Sequence, residues 1–181
     1  MEDRRVKTRT MEPKIDNYKS PIAALCWSLA LPGFGQFYLR EVFLGIILML
    51  LELGVNINSN LNLAVYYAFH GDVQQSHTII NYEWGLFYPS IWAFSMWHAY
   101  NRAKTINSSA NNVAKRTYLT GFFIGLVIGM NLGLYWHDNP LFMRNNVSHS
   151  PIFNGLILGI AGASIGHLID IIFSVFKKEK P

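Results

Sequence analysis

The basic residues of this chain are gathered into three places, and the apolar sequence left between them limits what it can fold into. Lys and Arg cluster in residues 1–19, 101–116 and 177–180, and the runs between are almost free of both. Each run is long enough to cross a hydrocarbon core about 30 Å thick. A chain of 181 residues that is 51% hydrophobic and 14% charged can also be a tightly cored soluble domain, but the segregation of charge favours a membrane. The net charge of +4 does not call for nucleic acid, because the basic residues flank apolar spans and positive-inside sorting accounts for them. The expected partner is the lipid bilayer.

Within the first apolar stretch stands a break, Leu31-Pro32-Gly33-Phe34-Gly35-Gln36-Phe37-Tyr38. Pro32 lacks an N–H and pushes Leu31 out of the α region, so a straight helix through this point is disfavoured. Gly33 and Gly35 permit a tight turn, Gln36 can bond freed backbone groups, and Phe37 and Tyr38 suit the membrane–water boundary. Residues 21–40 therefore read as a re-entrant or half-length helical hairpin that dips into one leaflet.

The expected fold is all-α: a polytopic helical membrane protein in which this hairpin is followed by four transmembrane helices. Residues 1–20 form a basic cytoplasmic arm, with six basic against four acidic side chains in residues 1–19. The spans lie at about 42–58, 84–100, 118–136 and 152–176. Residues 59–83 form an outer segment without Lys or Arg between 58 and 82, 105–116 a cytoplasmic loop, 117–177 a glycine-striped helical pair and 178–181 a cytoplasmic tail. Four crossings put both termini and both basic clusters on one face, whereas a fifth crossing through residues 21–39 would send the arm outside. The location that follows is a bacterial cytoplasmic membrane with both termini inside.

The single cysteine, Cys26, excludes an internal disulfide framework. A lipoprotein site fails at bulky Leu25, and a cleaved signal fails for want of an Ala-x-Ala site, so the N-terminus is expected to stay on the mature protein.

Gly121, Gly125, Gly129 and Gly133 repeat every four residues, a stripe that lets a neighbouring backbone come close. Gly155, Gly159 and Ala163 answer at the same spacing, with Gly162 and Gly166 nearby. Packing of these two helices on each other is one reading, and homo-oligomerisation, even around a pore, is another. Glu52 lies twelve residues past Arg40, about 18 Å along a helix, and His167 ten residues before Lys177, about 15 Å from the same face. With Asp170 one turn nearer the cytoplasm, Glu52 and His167 form a candidate intramembrane polar site. Either the site holds an ion or proton, or Glu52 is a hydrogen-bonded helix fastener, or the span is shifted and Glu52 sits near the outer interface.

His70, His77, His137 and His149 fall in the two outer segments with Asp72 and Asp138, but no tight ligand spacing such as His-x-x-x-His occurs. No metal, cofactor or catalytic residue is expected, since no nucleophile–base ordering, paired carboxylates or phosphate loop rises above background.

Residues 24–45, centred on the Pro32-Gly33-Phe34-Gly35-Gln36-Phe37-Tyr38 turn, resemble the start of TM2-domain and related small bacterial multi-pass membrane proteins, in which a Gly-x-Gly-x-x-Tyr turn joins two apolar segments. Phe87-Tyr88-Pro89 through Trp97-His98-Ala99-Tyr100-Asn101-Arg102-Ala103 resembles their closing segment, where Asp-Ala-Tyr commonly stands. The likeness covers about residues 19–104. It departs at Arg40, where a glycine usually closes the turn, and at His98, where the family tends to carry Asp. It implies an integral membrane protein and supplies no catalytic residue. The leading expectation is a non-enzymatic scaffold or regulatory membrane component with a homo-oligomeric or membrane-protein partner. The competing expectation is a small transporter or channel subunit using Glu52, His167 and Asn131.

Overall fold

A computed structural model describes residues 18–109, 118–136 and 149–178. The basic arm up to residue 17, the loop at 110–117, residues 137–148 with His137, Asp138 and Arg144, and the last three residues lie outside the described residues. Within them all regular structure is helical: α1 Pro21–Ala30, α2 Phe34–Tyr38, α3 Val42–Ser59, α4 Leu61–Phe69, α5 Val73–Ile79, α6 Tyr82–Gly85, α7 Tyr88–Ser109, α8 Thr120–Tyr135 and α9 Pro151–Lys178.

The Pro-Gly break does end a helix. Ser20 starts α1 by accepting the Ala23 N–H at 3.3 Å, and Pro21 follows where its missing N–H costs no bond. Leu31, ahead of Pro32, is extended at φ −155° and ψ 125° and stops α1. Gly33 then takes φ 102°, a conformation other residues rarely reach, and opens α2. The Tyr38 hydroxyl accepts the Ser20 N–H at 3.0 Å, which returns the end of the segment to its beginning.

Helix α3 is buried along one narrow face, Gly45, Leu48, Glu52, Val55 and Ser59, the spacing expected of a helix with a single packed side. It stops at Asn60, which is left-handed at φ 56°, and short helices α4 to α6 follow. Their apolar residues Leu61, Ala64, Ala68 and Ile80 close one end of the bundle with Leu134 and Ile152. Ala93, Met96, Phe123, Leu126, Met130 and Ala163 fill the middle, and Ala24, Leu39, Ala99 and Ala103 pack the other end. That last end also holds Lys19, Glu41, Arg102, Lys104 and Asp170, of which Glu41 and Arg102 pair with each other.

Two helices are long and apolar enough to cross a membrane, α3 over Val42–Ser59 and α9 over Pro151–Val175. The expected span at 84–100 begins later than the sequence suggests. Asn81 caps the one-turn α6 by accepting the Glu83 N–H at 3.0 Å, so Trp84 belongs to that turn, and α7 starts afresh at Tyr88 with Pro89 in its first turn. Its second half carries Asn101, Arg102, Lys104 and Asn107, so its apolar part is only about 20 Å long. The expected span at 118–136 is realised as the 16 residues of α8, about 24 Å.

Candidate functional site

The densest set of buried polar groups lies where α2 packs on α7. Gln36 is fully buried, 0% exposed, as are Ser28 on α1 and Ser95 on α7. Its amide nitrogen donates to the Ser95 carbonyl at 3.0 Å, and its amide oxygen accepts from the hydroxyls of Ser95 at 3.2 Å and Ser28 at 3.4 Å. Ser95 in turn accepts the Gly33 N–H at 3.1 Å. Each polar group in this dry contact therefore has a partner, as the cost of an unmade buried hydrogen bond demands. The close approach needs Gly35, since a side chain there would run into Ser28, the Ala24 carbonyl and Ala99.

The network continues toward the surface. The Gln36 amide nitrogen stands 3.4 Å from Nδ1 of His98. If it donates there, a neutral imidazole carries its proton on Nε2, which faces the Glu41 carboxylate at 3.8 Å. Glu41 accepts from Arg102 Nε through its other oxygen, and its backbone N–H bonds the Gln36 carbonyl at 2.9 Å. Ser95, His98 and Arg102 occupy positions i, i+3 and i+7 of α7, one face of the helix. The turn at 32–41 and the segment at 95–102 are thereby fastened to each other by charge, amide and hydroxyl.

Comparison with known proteins gives no family. No family model, curated protein or solved structure matches the chain.

The other expected site residues are placed as follows. Pro32 is fully buried beside the turn, and the Tyr38 ring lies under the Lys19 ammonium at 5.0 Å. The stripe of Gly121, Gly125, Gly129 and Gly133 faces α9 along its whole length. A Cβ on these residues would collide in turn with backbone of Gly166, Gly162, Leu158 and Asn154. The mating face on α9 is thus Asn154, Leu158, Gly162 and Gly166. Gly155 and Gly159 instead make room for the side chains of Leu134, Met130 and Leu126. Asn154 adds a bond from its amide to the Gly133 carbonyl at 2.7 Å.

Glu52, 5% exposed, points inward from α3. Asn56 lies one turn away, and Tyr88 is within electrostatic reach. One carboxylate oxygen, Oε2, is buried without a hydrogen-bond partner among the described residues, as is Oδ1 of Asn131 on α8. His167 is exposed on α9, with its ring edge-on to Phe122 at 6.4 Å. Helix α3 packs chiefly on α6, α2 and α7, and α9 on α8, with α4 touched by both, so Glu52 and His167 sit on helices with different main neighbours. Asp170 has a partner of a different kind. Its carboxylate accepts the N–H of Gly121 at 2.9 Å with both oxygens and that of Phe122 at 3.3 Å, capping the start of α8.

At the opposite end, Nδ1 of His70 lies 2.8 Å from the Tyr66 carbonyl, and Nδ1 of His77 lies 2.9 Å from the Tyr82 hydroxyl. Among the described residues no three His, Cys, Asp or Glu side chains converge.

The residues that sequence reasoning passed over are Ser28, Ser95, Glu41 and Asn101. Asn101 grips residue 118 from both sides, accepting the Tyr118 N–H at 2.6 Å and donating to its carbonyl at 3.0 Å. The spacing of Ser95, His98 and Arg102 was the signal available. It is invisible until Gln36 and Glu41 are brought opposite them.

Proposed function

We propose that this chain is a polytopic integral membrane protein of the cytoplasmic membrane, with a half-length N-terminal hairpin, four crossings formed by α3, α7, α8 and α9, and both termini cytoplasmic. It scaffolds or regulates other membrane proteins and catalyses no reaction of its own. The observation that carries the membrane reading is the outward face of its two longest apolar helices. Phe43 is 80% exposed, Ile57 74% and Phe173 70%, and between them Ile46, Leu50, Leu53, Ile165, Leu168 and Ile172 also face out. Soluble monomers rarely leave contiguous apolar patches above a few hundred Å² in water. In a bilayer the same faces meet acyl chains at no cost.

The shorter α8 is compatible with a crossing because Tyr118 lies just before it and Tyr135 and Trp136 at its end, side chains that settle at the interface and tolerate a locally thinned bilayer. The scaffold reading draws on the fastened contact between the turn at 32–41 and α7. It is also the contact where the two segments resembling TM2-domain proteins meet. A rigid polar cluster at the cytoplasmic boundary suits a surface held in fixed shape for a partner. Alkaline carbonate extraction of membranes from cells expressing the chain tests the first part, with retention in the pellet expected. Crosslinking in native membranes followed by mass spectrometry tests the second, with a reproducible partner protein expected.

One observation favours a second reading, a small transporter or channel subunit. Glu52 is buried midway along α3 with one carboxylate oxygen unpartnered, the kind of site at which an ion or proton is held. Ion flux into proteoliposomes, lost in Glu52→Gln while the protein stays folded, would favour it over the scaffold.

A further inference from the structure

Between α7 and α8 runs an outward-opening groove of about 350 Å³, walled by Ala93, Phe94, Trp97, Phe123, Ile124 and Ile128. The Trp97 indole N–H is spent on the Thr120 hydroxyl at 3.2 Å, which leaves the wall apolar. Ser90, Trp97 and Lys104 succeed each other at seven-residue spacing, two helical turns, so they fall on one line down α7. The groove therefore points at Lys104. The Lys104 ammonium lies over the rings of Tyr118 at 5.1 Å and Tyr100 at 5.7 Å. Among the described residues no carboxylate pairs with it: Glu41 is taken by Arg102 and Asp170 by the start of α8. Trp97, at the groove's near end, is seven residues from Lys104, about 10 Å of helix rise, within the reach of one lipid's headgroup and upper acyl chain.

We propose that this groove and Lys104 together form a binding site for one anionic glycerophospholipid of the cytoplasmic leaflet. One acyl chain lies along Trp97, Phe94 and Ile124, and the phosphate meets the Lys104 ammonium that Tyr100 and Tyr118 hold in place. The apolar wall, which offers a peptide backbone nothing to bond, selects an acyl chain over a peptide, and the cation beyond its end, with no carboxylate partner among the described residues, selects an anionic headgroup over a zwitterionic one. The inference rests on the membrane reading above, since only a bilayer supplies the ligand in that orientation.

The test uses the full chain in detergent micelles, titrated with dioleoylphosphatidylglycerol or dioleoylphosphatidylcholine while the melting temperature is followed. The anionic lipid is expected to stabilise at a concentration about fivefold lower, the factor that corresponds to about 1 kcal/mol for one lysine near a phosphate. Lys104→Gln should remove that preference, Lys19→Gln should keep it, and Ile124→Trp, which fills the open groove without touching the core, should weaken the response to both lipids. Equal half-saturation by the two lipids in the unmodified chain, or an undiminished preference in Lys104→Gln, overturns the site. So does a detergent-solubilised dimer that Ile124→Trp dissociates, because a second copy then covers the groove. Release of the chain by carbonate would instead strike the membrane reading itself, whereas carbonate resistance without lipid preference removes only this site.

Discussion

Asp170, near the end of α9, closes the start of α8 by accepting the Gly121 N–H with both carboxylate oxygens at 2.9 Å. The residue at the cap position itself is Leu119, whose side chain cannot accept a hydrogen bond. A carboxylate from the neighbouring helix therefore does the work of a local Ser or Asp, with the helix dipole adding to it.

Replacing Asp170 by Ala should cost about 1 kcal/mol, the usual loss on removing a capping group, and Asp170→Asn should lose less. Thermal unfolding in detergent reads both. An Ala variant as stable as the unmodified chain would mean that the cap contributes nothing.

Along the rest of the α8–α9 contact the backbones themselves touch, so volume is the sensitive quantity. Gly125→Leu or Gly129→Leu should destabilise by about 1–3 kcal/mol or more by overpacking, and Ala at either site by less. Gly54 on α3 has nothing within 4 Å of where a Cβ would be. There Gly→Ala should be neutral or gain up to about 1 kcal/mol through helix propensity. If Leu at positions 125 and 129 changed neither melting nor oligomeric state, the stripe would not be facing α9.

The buried amide of Gln36 should behave as one unit with its partners. Gln36→Leu strands the Ser28 and Ser95 hydroxyls in a dry contact, at about 1–3 kcal/mol. Adding Ser95→Ala should then cost less than it does alone, a coupling of about 0.5–3 kcal/mol in a double-mutant cycle. Additive losses would show that the two side chains act independently.

Much of this was written locally in the chain. The Pro32-Gly33 break, the extents of α3 and α9 and the glycine spacing of α8 follow from backbone chemistry and periodicity, which need no neighbours. What was hidden depends on which elements meet. Ser28, Gln36, Ser95 and Glu41 are unremarkable one by one, and only the fold sets them opposite each other. Asp170 reads from sequence as part of a polar path with His167, yet its nearest groups are backbone N–H donors on α8. On α9 the spacing pointed to Gly155, Gly159 and Ala163, and these pack on α8 beside a second row, Asn154, Leu158, Gly162 and Gly166, whose backbone meets the stripe. A stripe fixes a period and leaves its phase to the partner. The start of α7 at Tyr88, beyond Trp84, was set by the Asn81 cap, a local signal outweighed by the aromatic pattern around it.

Glu52 separates the scaffold from the transporter. Glu52→Gln keeps shape and hydrogen bonding while removing the charge, so a helix fastener should retain folding and phenotype, and Glu52→Leu should weaken them. An ion or proton site should fold as Gln but lose flux. Unchanged folding, assembly and phenotype in Glu52→Leu would defeat both readings.

The central claim is that the hairpin enters the membrane and returns, which leaves the N-terminal arm and the basic ends inside and α5 outside. Its most direct measurement is labelling of intact cells with a membrane-impermeant thiol reagent on a background in which Cys26 is replaced. Gln75→Cys should label from outside, and Lys14→Cys should label only after the cells are opened. Labelling of Lys14→Cys in intact cells would make residues 21–39 a full crossing and contradict the account.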